Sequence, residues 1–209
     1  MEALQFFEQS SDLARHVLPM LDVPLYESTS RSGVSRVCCA LSLEHWQAVM
    51  CLIEGDFLPS GLVLHRVQYE ALVRGVWAFY AASDAQIGKL SEELSSESEE
   101  GARHLPTVKP MLESLSRVAP DQLYQALLRF KDAVLPALNS FTHTGIHPIQ
   151  RHASGYPSQL VEGIARNANA IAVVSAMQMA VLAGSQDLMS KLATLQHSHA
   201  SCLPPHVAA

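Results

Sequence analysis

Arg66, Glu70 and Arg74 recur at intervals of four inside residues 58–82, a stretch that is otherwise almost wholly apolar. On a helix that spacing lines the three side chains up on one stripe, with Val63, Val73 and Trp77 on or beside it. Arginine binds phosphate and carboxylate oxygens through its forked donors, and a glutamate between two arginines can orient both. The rest of the stretch is apolar all round, the pattern of a core helix, so the stripe is expected to point into protein. Charges are rarely buried without partners. Two cations and one anion leave a positive charge over, which calls for a carboxylate, a helix carbonyl end or a bound anion.

A second group of reactive side chains runs through residues 139–152, NSFTHTGIHPIQRH. Gly145 suits the left-handed residue that ends a helix, which would put His143 in the last turn. The carbonyl end of a helix favours a protonated imidazole, so His143 there is either a general acid or base or simply a cap. Asn139, His147 and Arg151 are the neighbours expected to touch a ligand, and His152 decorates the loop. A metal site is the rival reading, because His143 and His147 are four apart and His65 or Glu70 could add a third ligand. Gly145 and Pro148 argue against one helix through both histidines, so no metal or other cofactor is expected. A third cluster is Arg166-Asn167-Ala168-Asn169, with Glu162 placed to pair with Arg166. The plain reading is a surface ion pair; the alternative is that at least one of Asn167 and Asn169 faces inward and bonds to the charged stripe, and Asn167 joins the ligand-binding candidates.

Other chemistries find no motif. The chain has no G-x-S-x-G, no G-x-x-x-x-G-K and no G-x-G-x-x-G. Its four cysteines, Cys38, Cys39, Cys51 and Cys202, form no C-x-x-C pair and read as reduced core thiols. The formal charge is −6, with five acids crowded into residues 92–100, so no broad basic field attracts nucleic acid. The N-terminus has neither a basic stretch nor a continuous apolar run, and the apolar stretches are interrupted too soon to span a bilayer. A cytoplasmic protein without a membrane partner is expected.

The elements that must position these groups are helices. No run alternates with a period of two, while glycine and proline punctuate the 209 residues at helical lengths. The spacing predicts helices over about 2–21, 32–53, 58–82, 85–94, 108–118, 121–138, 158–183 and 186–197. Pro136 is expected to kink or restart one of them. Residues 91–104, SEELSSESEEGARH, read as a mobile acidic loop. Residues 1–197 form one antiparallel helical-bundle domain in this reading, and 198–209 a frayed tail.

Arg66-x-x-x-Glu70-x-x-x-Arg74-x-x-Trp77, followed by Ser140-x-x-His143-x-Gly145, resembles bacterial helical families similar to the HEPN group and its abortive-infection relatives. The resemblance covers roughly residues 32–184. It implies an all-α HEPN-like bundle, a homodimer, and a metal-independent RNase or toxin of a defence or stress system. In that chemistry a histidine moves the 2′-OH proton and an arginine stabilises the phosphorane, which assigns His143 as acid/base and Arg66 and Arg74 as clamps oriented by Glu70. RNA or another phosphate-bearing ligand is the implied partner. The chain departs from the HEPN signature, an arginine followed by a histidine after four to six intervening residues, a pair found nowhere in it. The nearest counterpart is Asn139-x-x-x-His143. HEPN-like proteins without that signature are often binding modules, so the alternative is a non-catalytic bundle holding a small anion or a protein partner, with the stripe as an internal ion-pair network.

Overall fold

The computed structural model describes residues 3–205. Among these residues the protein is all-α: ten α-helices, two 3-10 turns and no strand. In chain order the helices are α1 (Ala3–Val17), α2 (Ser30–Glu54), α3 (Leu58–Tyr80), α4 (Asp84–Ser91), α5 (Ser96–Ala102), α6 (Val108–Leu115), α7 (Asp121–Thr142), α8 (Ile146–Ser154), α9 (Ser158–Leu182) and α10 (Gln186–Ser198). The 3-10 turns are Leu18–Leu21 and Ala200–Cys202.

Local chemistry accounts for the start of α2 and for the turn into α3. Thr29 caps α2 reciprocally with Ser32, satisfying amides that the first helical turn leaves free. The α2–α3 turn is closed by Asp56 at φ 60° and by the Phe57 N–H to Leu52 O bond. Pro59 then sits in the first turn of α3, where its missing N–H costs nothing.

Helices α2 and α3 form a close antiparallel hairpin because the facing residues are small. Ser35 donates to the carbonyl of Gly75 at 2.7 Å, and Ser42 to that of Gln68 at 3.0 Å. A methyl group on Gly75 would stand 3.1 Å from Cys39 Sγ and 3.2 Å from the Ser35 carbonyl, so glycine allows this approach and alanine would require α2 to give by a few tenths of an ångström. Helix α9 packs against both helices of the hairpin: Ser175 bonds to Ser42 of α2 at 2.9 Å, and Gln68 of α3 donates to the Ala168 carbonyl at 2.9 Å. By length and composition α2 could cross a membrane, and Trp46, Val49 and Ile53 on it are buried in the core.

The core has two apolar clusters that meet on α3. Leu58 and Leu62 belong to one, together with residues of α1, α2 and α9. Tyr69, Leu72, Val73, Val76 and Trp77 belong to the other, with α6 and the first half of α7. Arg66 and Glu70 lie at the crossover between them.

Four sequence expectations are corrected. Residues 96–102 of the acidic segment form a helix, capped reciprocally by Ser95 and Ser98, with Glu97 and Glu99 in the first turn where the helix dipole favours anions. None of its residues is buried, so it is a solvated helix and not a loop. Residues 146–154 of the connection between α7 and α9 are helical as well. Helix α7 does not restart at Pro136, which lies inside it. The C-terminal segment is docked, with Cys202 and Leu203 in the core; residues 206–209 of the expected tail lie outside the described residues.

A buried asparagine does the docking. Asn169 accepts from the Trp46 indole at 2.9 Å and donates at 2.9 Å both to Ser10 Oγ and to the Cys202 carbonyl. It therefore joins α1, α2, α9 and the C-terminal turn in one fully satisfied network. The expectation that an asparagine of this helix bonds to the charged stripe is replaced by this arrangement.

Candidate functional site

The charged stripe is half-buried, not sealed. Arg66 Nε donates to Glu70 Oε1 at 2.9 Å, and the two side chains are 23% and 36% exposed. Both side chains are therefore reachable from solvent. Arg74 does not join it. Two helical turns along α3, about 12 Å by the rise of an α-helix, its Nη2 donates at 3.3 Å to the carbonyl of Pro106, before α6. The leftover cation thus finds a backbone carbonyl, but not the one at the end of α7.

The end of α7 meets Arg66 instead. His143 is the C-terminal cap of α7, and its Nε2 lies 3.5 Å from Arg66 Nη1 at the surface. A guanidinium has only donors, so this contact uses the lone pair on Nε2. The result is an accessible row of Glu70, Arg66 and His143. A cation beside an imidazole nitrogen that can take a proton suits a phosphate ester, whose oxygens the arginine binds while the histidine accepts a proton.

The turn that presents His143 depends on Ser140 and Gly145. The left-handed residue is Thr144, at φ 51°, while Gly145 is extended at φ −79° and ψ −159°. Gly145 matters through space: a Cβ there would stand 2.6 Å from Ser140 Oγ. The Gly145 N–H donates to the Ser140 carbonyl at 2.7 Å, and Ser140 Oγ accepts from the His147 N–H at 3.1 Å. Ser140 therefore ends one helix and begins the next. Ser140, His143 and Gly145 thus fall within one turn, held by Ser140.

The remaining candidates are spread around the site. The His147 ring stacks on Phe141 with centroids 6.4 Å apart. His65 is fully buried and bonded to Gln68 Oε1 at 2.9 Å, so it cannot join His143 at the surface. Asn139 is exposed one turn before His143 on α7. Among the described residues, the side chains of Asn139, Arg151 and Asn167 make no hydrogen bond or ion pair. Arg166, read from sequence as the partner of Glu162 at 3.8 Å, mainly holds the C-terminal segment through the carbonyls of Ser201 and Leu203.

Thiol chemistry is disfavoured at three of the four cysteines. Burial pushes Cys38, Cys39 and Cys202 up, away from the reactive thiolate. Cys51 is exposed, contrary to its reading as a core thiol.

The fold and site define an all-α bundle with an accessible arginine–glutamate–histidine row where its two core clusters meet. The chain belongs to a family of unknown function, DUF6988, which matches residues 39–205 and so takes in the whole row. No curated protein and no solved structure matches it.

Proposed function

We propose that the protein is a HEPN-like, metal-independent RNase in which His143 is the acid/base and Arg66 the phosphate clamp, oriented by Glu70. The observation that carries this reading is the 3.5 Å approach of Arg66 Nη1 to His143 Nε2 at the accessible surface. In the reaction the 2′-oxygen attacks the adjacent phosphorus while His143 takes its proton. The bond from phosphorus to the 5′-oxygen breaks, leaving a 2′,3′-cyclic phosphate, and water protonates the departing oxygen. Arg66 offsets the charge that builds on the phosphorane. Asn139, one turn before His143, is placed to touch the nucleotide, and Arg74 supports the helix. Under this reading the protein works in the cytoplasm as a homodimer, as a toxin or defence factor.

The test is cleavage of single-stranded RNA by the purified protein in EDTA, with end-group analysis. Cyclic phosphate ends, and a loss of about 100-fold or more in both Arg66→Ala and His143→Ala, are expected. A folded protein that leaves RNA intact rules the reading out. The 2.9 Å Arg66–Glu70 pair favours a second reading in that event, a non-catalytic bundle that binds a small anion or a protein partner. Its signature is saturable phosphate binding that Arg66→Ala removes.

A further inference from the structure

Asp12 and His16 stand one turn apart on α1, so a carboxylate and an imidazole share a helix face. The segment after α10 brings a third group to them. His199 Nε2 lies 3.0 Å from Asp12 Oδ2, and His16 Nδ1 lies 3.4 Å from the same oxygen. One ligand atom from each residue lies within 4.8 Å of those of the other two. A tetrahedral zinc ion with bonds of about 2.0–2.1 Å spaces its ligand atoms about 3.3 Å apart. Two of the three separations here are already close to that value.

The third ligand is preset by its surroundings. His199 is only 8% exposed. Its Nδ1 lies 3.0 Å from the Leu195 carbonyl, which orients the ring and aims Nε2 at Asp12. Such a bond on the far nitrogen is what fixes the ring of a metal-ligating histidine. The segment itself cannot drift, because Arg166 and Asn169 hold its carbonyls. Arg15 binds Asp12 at 3.0 Å but through Oδ1, leaving Oδ2 between the two imidazoles. His16 Nδ1 also lies 2.8 Å from the Asp12 carbonyl, and a metal ion would displace the proton shared there.

We propose that Asp12, His16 and His199 bind a divalent transition-metal ion of the zinc class, which staples the C-terminal segment to α1. Two imidazoles and a carboxylate match the ligand preference of such ions, and three protein ligands leave a fourth position for water. The site is separate from the Arg66–His143 row and does not depend on its chemistry.

The test is titration of EDTA-treated protein with Zn²⁺ against a chromophoric chelator, alongside thermal melts. One equivalent should bind at a dissociation constant on the order of micromolar or tighter and raise the melting temperature. His16 is exposed, so His16→Ala should fold normally, yet bind at least about tenfold more weakly and lose the thermal shift. Asp12→Asn should do the same, and His152→Ala should behave as wild type. Failure of the wild-type protein to bind Zn²⁺ overturns the proposal, as does unchanged binding by His16→Ala. A loss confined to His152→Ala would move the metal to the α7–α8 segment and overturn it equally.

Discussion

Arg66 and His143 are 77 residues apart in the chain, yet Nη1 of one lies 3.5 Å from Nε2 of the other. Helix α3 supplies the cation, and the C-terminal cap of α7 supplies the imidazole. Glu70 accepts from Arg66 Nε at 2.9 Å, which restrains the orientation of the guanidinium.

The two arginines of the stripe should therefore separate under mutation. If the protein cleaves RNA as proposed, Arg66→Ala should lose that cleavage with little change in stability, because a half-buried ion pair contributes at most about 1 kcal/mol. Arg74→Ala should retain cleavage and lose about 1 kcal/mol with its bond to Pro106. Parallel cleavage assays and urea melts check this. Equal loss of activity in both variants would show that the 3.5 Å contact does not mark the site.

Gly145→Ala should weaken the turn that presents His143, since the new Cβ stands 2.6 Å from Ser140 Oγ. Moving the serine hydroxyl aside breaks its bond to the His147 amide, a cap worth about 1 kcal/mol. Ser140→Ala removes the same cap and also the clash. The double variant should therefore lose less than the sum of the singles, as residues in direct contact do. Additive losses in denaturant melts would contradict the contact.

His65 makes stability depend on pH. Burial lowers its pKa to about 4, and among the described residues its Nε2 has no hydrogen-bond partner. The unfolded chain takes up a proton near the ordinary value of 6.5, which the native state refuses until about pH 4. The contribution of the neutral ring is thus fully present above about pH 6.5 and is lost as pH falls toward 4. Between pH 7.5 and 5 the loss should be about 2 kcal/mol. His65→Gln should flatten that slope in urea melts, and an unchanged slope would show that other groups set it.

Asn169→Ala should be among the most damaging single changes in the protein. It strands the Trp46 indole N–H and the Cys202 carbonyl and deprives the Ser10 hydroxyl of its donor. Each stranded buried group costs about 1–3 kcal/mol, so a loss of roughly 3 kcal/mol or more is expected. Equilibrium denaturation followed by tryptophan fluorescence measures it, and a loss under about 1 kcal/mol would contradict the network.

Helices α2, α3 and α9 were legible because their cause is local. Apolar residues recur at the helical period, and Gly55, Pro59, Pro157 and Gly184 stand at their ends, so propensity and capping act within a few residues. The stripe of Arg66, Glu70 and Arg74 followed from spacing alone, whereas α7 runs to Thr142, past the expected 138, and its left-handed residue is Thr144 and not Gly145. The helix over residues 96–102 was hidden by its composition, since reciprocal serine capping outweighs an acidic surface that needs no burial.

What each side chain meets was decided elsewhere. Spacing could not tell that Arg66 would take His143 while Arg74 took Pro106, because those partners come from separate elements. Nor could it tell that Asn169, and not Asn167, would enter the core, or that His199 would close on Asp12 across 187 residues. The periodicity of a chain determines which residues share a face. Which other face that surface covers depends on packing between distant elements, and no local interaction encodes it.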